Sequence, residues 1–328
     1  MELRTTFNIE PSSAKITYND KVMFIGSCFA SSIGSRMEMG RMPVLINPAG
    51  AVFNPVSVCN TLDTITTGRK LNQNDLFYHD GAWLSLLHYT DFSGEDPIKV
   101  LEKINLNSEE ALNFLRSAKF LFVTLGTARV YRLKKTGQIV SNCHKIPSDQ
   151  FEPELLTVDN VIKLWEQQLD RLNTLFPDLK VIFTISPVRH WKDGAHGNQV
   201  SKSVLFLAVE ELLKHSVSPH YFPAYELVMD DLRDYRFYND DMLHPSPLAI
   251  NYIWDAFSGC YMEKTTLNTW NEVVKITKAC NHRLHTDSRI KTESFASRML
   301  SRILEIEARV PLVNLSSEKS YFLNLLKK

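Results

Sequence analysis

Short apolar runs alternate with amphipathic helical patterns along most of the chain, and this alternation limits the possible folds more than any other feature. Four runs bounded by glycine, proline or polar residues predict buried strands, at 21–25, 42–46, 119–125 and 180–185. A weaker fifth strand is predicted at 221–227. Between the strands, helical spacing of apolar residues predicts helices at 30–38, 55–65, 108–117, 157–176 and 201–214.

Strands that alternate with helices predict an α/β fold of three layers, α/β/α, with a short parallel sheet covered on both faces. In such folds ligands bind beyond the carboxyl ends of the strands. We expect this domain to span residues 1–262, with an aromatic insertion at about 66–100. Residues 130–140 predict a hairpin that turns at Thr136 and Gly137.

Residues 263–328 predict a helical C-terminal extension. Met299, Ile303, Ile306 and Val310 are spaced like a short apolar seam, too short for a coiled coil. We expect this seam to pack against the core of the same chain. A homodimer through the C-terminal helices is the alternative.

Composition excludes several partners. Among 328 residues, 37 basic side chains balance 37 acidic ones, so no net charge attracts nucleic acid or an anionic membrane surface. The longest apolar runs are far shorter than the roughly 20 residues of a membrane-spanning helix. Five scattered cysteines and a polar first segment predict a cytoplasmic protein, although a removed signal peptide is compatible with the sequence.

Ser27 follows the first predicted strand, in the segment Gly26-Ser27-Cys28-Phe29-Ala30. A helical pattern begins directly after it, which places Ser27 at a strand-to-helix turn. Gly26 gives this turn a flexible backbone, and the start of a helix favours negative charge. Ser27 is therefore a candidate nucleophile whose N–H is a candidate oxyanion donor. Serine also commonly serves at this position only as a helix cap.

Residues 241–245, Asp-Met-Leu-His-Pro, offer the base and the orienting acid that a serine nucleophile needs. In a loop, the three-residue spacing lets the carboxylate of Asp241 reach Nδ1 of His244 while Nε2 faces a cleft. Pro245 predicts such a loop before the next helix. Asp240 competes as the orienting acid, and a capping aspartate with a solvated histidine is the simpler interpretation.

Taken together, these residues resemble a known family. The string from Gly26 to Ala30 resembles the signature of the bacterial GSCFA family, which is similar to the SGNH or GDSL hydrolases. The resemblance covers about residues 20–260. Further segments that match the family are 47–55, 124–127, 186–190 and 241–245. The resemblance implies a three-layer α/β/α fold and a catalytic triad of Ser27, Asp241 and His244.

The resemblance also implies an oxyanion hole. In SGNH hydrolases it consists of the serine N–H, here that of Ser27, a glycine N–H after the second strand and an asparagine side chain after the third. Gly50 matches the glycine, whereas Ala128 stands where the asparagine is expected. Asn54 and Thr127 are the candidate replacements, and Asn54 is favoured because its amide can donate while its carbonyl oxygen is held by neighbours. An unreplaced donor costs roughly 10²- to 10³-fold in rate.

Arg189 and His190 follow the fourth strong strand, so we expect them at the ligand-binding edge, where an arginine can bind a carboxylate or a phosphate. A surface ion pair is the simpler role for Arg189. The other histidines and the cysteines lack metal-ligand spacing, and no phosphate-binding glycine loop is present. The sequence predicts neither a metal nor a cofactor.

The leading hypothesis is a serine esterase or acyl transferase that acts on a small ester, with an acylated carbohydrate favoured only by family analogy. In this mechanism Ser27 attacks the acyl carbon, His244 carries the proton and Asp241 orients the imidazole. The second hypothesis is a ligand-binding protein on a hydrolase fold that has lost catalysis, because Ala128 replaces the expected asparagine.

Overall fold

The structure is a computed structural model that describes residues 4–280 and 288–327; residues 1–3, 281–287 and 328 of the predicted domains lie outside it. Its main sheet has five parallel strands in the order β10-β9-β5-β1-β2. The strands of the described residues are β1 (Lys21–Gly26), β2 (Val44–Ile46), β3 (Phe77–His79), β4 (Ala82–Leu84), β5 (Ala118–Leu125), β6 (Arg129–Leu133), β7 (Ile139–Val140), β8 (Phe151–Leu155), β9 (Lys180–Ile185) and β10 (His220–Tyr221).

Helices cover both faces of this sheet. Those of the described residues are α1 (Cys28–Met39), α2 (Pro55–Thr67), α3 (Pro97–Leu115), α4 (Val158–Leu175), α5 (Gly194–Leu212), α6 (Ala224–Glu226), α7 (Pro247–Tyr261), α8 (Lys264–Cys280), α9 (Arg289–Arg309) and α10 (Ser316–Lys327). None of the helices in the described part of the chain is long and apolar enough to span a membrane.

The central strands are buried on both sides because alternate residues point into two separate apolar layers. On one face Phe24 stacks on Phe122, with ring centroids 4.9 Å apart, in a layer shared with α1 and α7. On the other face Ile25 and Val123 pack with α2, α4 and α5, where Trp165 is fully buried. The predicted three-layer α/β/α fold is therefore confirmed.

The four strong strand predictions are confirmed, whereas the fifth is mostly wrong. β10 ends at Tyr221, and α6 is followed by a π-helical turn over Leu227–Asp231. Pro223 cannot continue a strand ladder because it has no N–H. The buried residues Ala224, Leu227 and Val228 that follow it have helical spacing, which the sequence interpretation mistook for a strand.

The two predicted interruptions form small β-structures. The hairpin at 130–140 is confirmed by the antiparallel pairing of β6 with β7, and β8, which was not predicted, pairs with the other edge of β6. Within the insertion at 66–100, β3 and β4 form a second hairpin. The Tyr89 N–H donates to the Ala49 carbonyl oxygen at 2.9 Å, so the insertion lies against the turn after β2.

The three C-terminal helices contribute to the same apolar layer as α1. Trp270 Nε1 donates to the carbonyl oxygen of Arg36 at 2.8 Å, which attaches α8 to α1. Met299, Ile303 and Ile306 of the predicted seam are buried within this chain. The division into two domains and a homodimer through these helices stay predictions.

Candidate active site

Several predicted site residues follow the carboxyl ends of neighbouring parallel strands and therefore lie at one edge of the sheet; they are Ser27, Gly50, Thr127, Arg189 and His190. Hydrogen bonds connect the turns at this edge. The Gly26 N–H donates to Asn47 Oδ1 at 2.8 Å, and the Gly26 carbonyl oxygen accepts from the Val52 N–H at 2.9 Å. The Phe53 carbonyl oxygen accepts from the Gly126 N–H at 2.7 Å. The ends of β1, β2 and β5 thus form one connected surface.

Ser27 lies in the turn from β1 into α1. A Cβ atom at Gly26, where φ is 132°, would lie 2.1 Å from the Thr124 carbonyl oxygen, so the turn requires glycine. Ser27 is only 1% exposed, and its Oγ accepts from the Phe29 N–H at 3.3 Å as a helix cap. Capping uses one lone pair of the oxygen. The hydroxyl hydrogen has no acceptor in the described part of the chain.

Asp241 and His244 form a hydrogen-bonded pair in the loop before α7. Asp241 Oδ2 lies 2.6 Å from His244 Nδ1, and Oδ1 accepts from the N–H groups of His244 and Leu243, each at 2.9 Å. The two backbone bonds and the imidazole lower the pKa of Asp241 to about 2. Asp241 is therefore ionised at neutral pH and holds Nδ1. His244 Nε2 forms no hydrogen bond with any described residue.

No hydrogen bond joins Ser27 to His244 within residues 4–280 and 288–327. The two loops are nevertheless close enough to interact electrostatically. Burial raises the pKa of the Cys28 thiol, with a contribution from the charge of Asp241, and burial lowers the pKa of His190 to about 4, with a contribution from His244. A thiol with a raised pKa is a poor nucleophile, which leaves Ser27 as the better candidate at this turn.

The two backbone donors expected in an oxyanion hole are already engaged. The Ser27 N–H donates to the Thr124 carbonyl oxygen at 3.1 Å, and the Gly50 N–H donates to the Asn47 carbonyl oxygen at 2.7 Å. Packing also explains the glycine, because a Cβ atom at Gly50 would lie 2.2 Å from the Cβ of Tyr89. Each N–H must leave or share its present acceptor before it can bind an oxyanion.

The two candidate replacements differ in what their side chains already do. Asn54 caps α2 with Oδ1, which accepts from the Ser57 N–H at 2.8 Å, and its Nδ2 donates to no described residue. Because only the amide oxygen can accept, this bond fixes the orientation of the side chain. Thr127 Oγ1 lies 2.9 Å from Ser201 Oγ and accepts from the Arg129 N–H. Of the two, Asn54 has the unused donor.

Ala128, which replaces the expected asparagine, does not face this edge. It is fully buried in the apolar layer formed by α2, α4 and α5, and its N–H donates to Ser201 Oγ at 2.7 Å. The local chain therefore uses this position for packing.

Arg189 and His190 follow β9 at the same edge. A Cβ atom at Gly126 would lie 3.1 Å from His190 Nε2, and the His190 N–H donates to Asn198 Oδ1 at 3.0 Å. With its pKa near 4, His190 is neutral at neutral pH. Arg189 Nε is buried without a hydrogen-bond partner, and the guanidinium lies 5.6 Å from the ring centroid of Trp191. Arg189 forms no ion pair within the described ranges.

Lys202 is a buried residue of this edge that the sequence interpretation missed. Its Nζ donates to the carbonyl oxygens of Gly126 and Ser186, both at 2.6 Å, and burial lowers its pKa to about 7. A signal existed, because Lys202 shares the helix face of Leu205 and Leu212, which are buried. A lysine on an apolar face predicts a buried amine with specific acceptors.

Among the residues that the structure describes, no group of three or more histidine, cysteine, aspartate or glutamate side chains is placed to hold a metal ion. The groups available for chemistry at this edge are thus a hydroxyl, an imidazole held by a carboxylate, an unused amide and an unpaired guanidinium.

This fold and site define a class of three-layer α/β proteins that present a serine after the first strand and an Asp-x-x-His segment before a late helix. Within that class, the chain belongs to the GSCFA family, whose sequence model matches residues 21–257. No curated protein matches the chain. One solved structure similar to it is a candidate GDSL-like lipase from Parabacteroides merdae ATCC 43184, with 9% sequence identity and a TM-score of 0.37; the match covers 81% of this chain and 99% of that one.

Proposed function

We propose that this chain is a serine hydrolase or acyl transferase that acts on a small ester. The observation that carries the proposal is the Asp241–His244 pair, in which Oδ2 lies 2.6 Å from Nδ1 and Nε2 has no partner among the described residues. In support of this, the charge of Asp241 contributes to the raised pKa of Cys28, the neighbour of Ser27, and the Ser27 hydroxyl hydrogen has no acceptor among the described residues. A nucleophile, a base and an orienting acid are the three groups that acyl transfer through serine needs.

In the proposed reaction Ser27 Oγ attacks the acyl carbon while its proton passes to His244 Nε2. The tetrahedral intermediate collapses, the ester C–O bond breaks and the alcohol leaves with that proton. Water, or a second alcohol in a transferase, then attacks the acyl-enzyme and gives its proton to Nε2. The proton finally returns to Ser27 Oγ as the acid or new ester departs. Asp241 stays ionised throughout and stabilises the imidazolium.

Asn54 is the oxyanion donor we assign first, because its Nδ2 is unused while its Oδ1 is held by Ser57. The N–H groups of Ser27 and Gly50 are further donors in this proposal, each after it shares or leaves its present carbonyl. Thr127 is the weaker candidate. Within the ester class, an acylated carbohydrate is the narrower substrate suggested by the family resemblance, an argument by analogy.

A fluorophosphonate probe tests the proposal, because it reacts with activated serines and its position can be mapped by peptide mass spectrometry. We expect labelling at Ser27 alone. Ser27→Ala and Ser27→Gly both abolish it, and the glycine variant keeps the fold closer to wild type because glycine loses only a few tenths of a kcal/mol at a helix cap. Ser32→Ala, on the same helix, retains labelling. Labelling that persists without the Ser27 hydroxyl contradicts the assignment.

A ligand-binding protein without catalysis is the second candidate. Two observations favour it: Ser27 and His244 are not hydrogen-bonded in the described structure, and both backbone oxyanion candidates are engaged. An unlabelled protein that shows no turnover on any ester, and yet binds a small molecule at this edge, supports this candidate over the enzyme.

A further inference from the structure

A cavity of about 630 Å³ lies directly beside the Asp241–His244 pair. Asp241 itself is part of its wall. Its other lining residues include apolar, aromatic, cationic and acidic side chains, and those that carry the argument are Arg189, Trp191, Arg233, Tyr235 and Tyr238. A molecule bound in this cavity would therefore contact the loop that carries the proposed catalytic histidine, because Leu243 also lines it.

Arg189 is the unsatisfied charge of this cavity. Its Nε is buried without a hydrogen-bond partner, and no carboxylate among the described residues forms an ion pair with it. A partly buried guanidinium without a counter-ion is costly to fold unless a ligand supplies the anion. A carboxylate or phosphate matches its planar set of donors.

The carboxylates in the cavity wall already have hydrogen-bond or ion-pair partners other than Arg189. Asp241 accepts three hydrogen bonds from its own loop. Asp234 Oδ1 accepts from the Arg236 N–H at 2.9 Å, and its Oδ2 lies 3.6 Å from Arg236 Nε. Arg233 forms only an exposed contact with Asp230 at 3.5 Å, which contributes little. Among the charged side chains of the cavity wall, Arg189 is thus the one best placed to bind an anion, and Arg233 is a weaker second cation.

Two aromatic rings at the cavity have large exposed areas. Trp191 is 55% exposed and Tyr235 is 77% exposed, and the ring of Tyr238 lies 6.3 Å from that of Tyr235. Exposed rings that line a concave site offer flat apolar surfaces on which a ring of a ligand can stack.

We propose that this cavity is a substrate subsite for the part of the ester that carries an anionic group next to a ring, with Arg189 binding the anion and Trp191 and Tyr235 contacting the ring. The inference rests on the proposed function, because it makes the natural substrate an anionic ester. It goes beyond that function because it states the charge and shape of the substrate.

A matched pair of esters tests the subsite: 4-acetoxybenzoate, which has a ring and a carboxylate, and 4-acetoxybenzamide, its neutral analogue. Binding is measured by calorimetry with the Ser27→Ala variant, so that it does not depend on turnover. We expect the anion to bind roughly 10- to 100-fold more tightly, the range expected for a charged hydrogen bond. Arg189→Met removes this preference. Arg171→Met, which removes an arginine that pairs with Asp63 and is not part of the cavity wall, keeps it.

The two proposals fail in different ways. If wild-type protein hydrolyses both esters with equal kcat/KM, or if the preference survives in Arg189→Met, the subsite is wrong and the hydrolase assignment stands. If the anion binds selectively while neither ester is cleaved and no probe labels Ser27, the subsite stands and the hydrolase assignment is wrong. Titration with benzoate and with phenyl phosphate in the same variant then identifies which anion is preferred; failure of both to bind also contradicts the subsite.

Discussion

Lys202 Nζ lies 2.6 Å from the carbonyl oxygen of Gly126 and the same distance from that of Ser186, so one buried amine joins the ends of β5 and β9. The residues after those ends include Thr127, Arg189 and His190. Two donated hydrogen bonds suit a neutral amine as well as an ammonium, which agrees with the lowering of the Lys202 pKa to about 7 by burial.

We expect Lys202→Met to destabilise the fold by about 2 kcal/mol, because two carbonyl oxygens lose their donor at a position that is only 2% exposed. The pH dependence identifies the cause. Between the folded pKa of about 7 and the unfolded value of about 10.4, the unfolded chain binds more protons at Lys202, so this residue makes stability rise with pH over that window. Urea unfolding at pH 7 and at pH 9.5 measures this effect. The contribution of Lys202 to the increase in unfolding free energy with pH should be present in wild type and absent from the variant.

Lys214→Met is the control for this measurement. Lys214 is exposed and pairs with Glu211 at 2.7 Å, so its loss should change stability by less than about 1 kcal/mol. Equal pH profiles for wild type and Lys202→Met would show that the buried amine keeps its proton.

Asp241 and Asp240 offer a matched pair of substitutions. Asp241→Asn should lower kcat/KM on the order of 10⁴-fold, because an amide opposite Nδ1 favours the wrong tautomer of His244. Asp240 has no hydrogen bond to His244, so Asp240→Asn should leave kcat/KM within about twofold of wild type. Steady-state kinetics on one ester shows which carboxylate orients His244; a larger loss at Asp240 would assign the orienting role to that residue.

Since the pKa of Asp241 is about 2, its titration should not affect the pH–rate profile above about pH 4.

The sequence predicted the parts of the fold that depend on local patterns. Buried runs such as that of β5 and helical stripes such as that of α4 are read from neighbours in the chain, and strand-end positions then place Ser27, Gly50 and Arg189 at one edge. The engagement of the Gly50 N–H could not be predicted, because it depends on Asn47 adopting a left-handed φ of 44° in the turn after β2. The state of a hydrogen bond is a tertiary property.

Lys202 shows a second limit of prediction from the sequence, which concerns the partners of a buried side chain. Its sequence position marks an unusual lysine on an apolar helix face, but its acceptors come from the ends of two different strands. Such partners are 16 and 76 residues away along the chain, and periodicity carries no information about them. For Arg189 the simpler expectation was a surface ion pair, and no acidic side chain among the described residues forms one with it.

Stability should fall on acidification through His88. Burial lowers the pKa of this imidazole to about 4, with a contribution from His144, whereas the unfolded value is about 6.5. Between pH 6.5 and 4 the unfolded chain therefore binds more protons, and stability decreases as the pH falls through that window, by about 3 kcal/mol at most.

His88→Gln should remove about 2 kcal/mol of the difference in unfolding free energy between pH 7 and pH 5, measured with urea at both values. His196→Gln, at an exposed histidine, controls for the loss of one imidazole, and an unchanged difference in His88→Gln would contradict the prediction.

Asn54 separates capping from catalysis, because its two side-chain atoms have different roles in the proposal. Oδ1 caps α2 through Ser57, while Nδ2 donates to none of the described residues and is the proposed oxyanion donor. Asn54→Ala removes both, so we expect a loss of about 1 kcal/mol in stability and roughly 10²- to 10³-fold in kcat. Asn54→Ser keeps an oxygen that caps the helix and removes the amide, so it should lose kcat to a similar extent with stability near wild type. Because the interaction forms mainly in the transition state, KM should change little in either variant.

Melting temperature and kcat, measured on the same preparations, distinguish the two roles of Asn54. If Asn54→Ser retains full kcat, the residue is only a cap, and Thr127→Val becomes the next variant to measure.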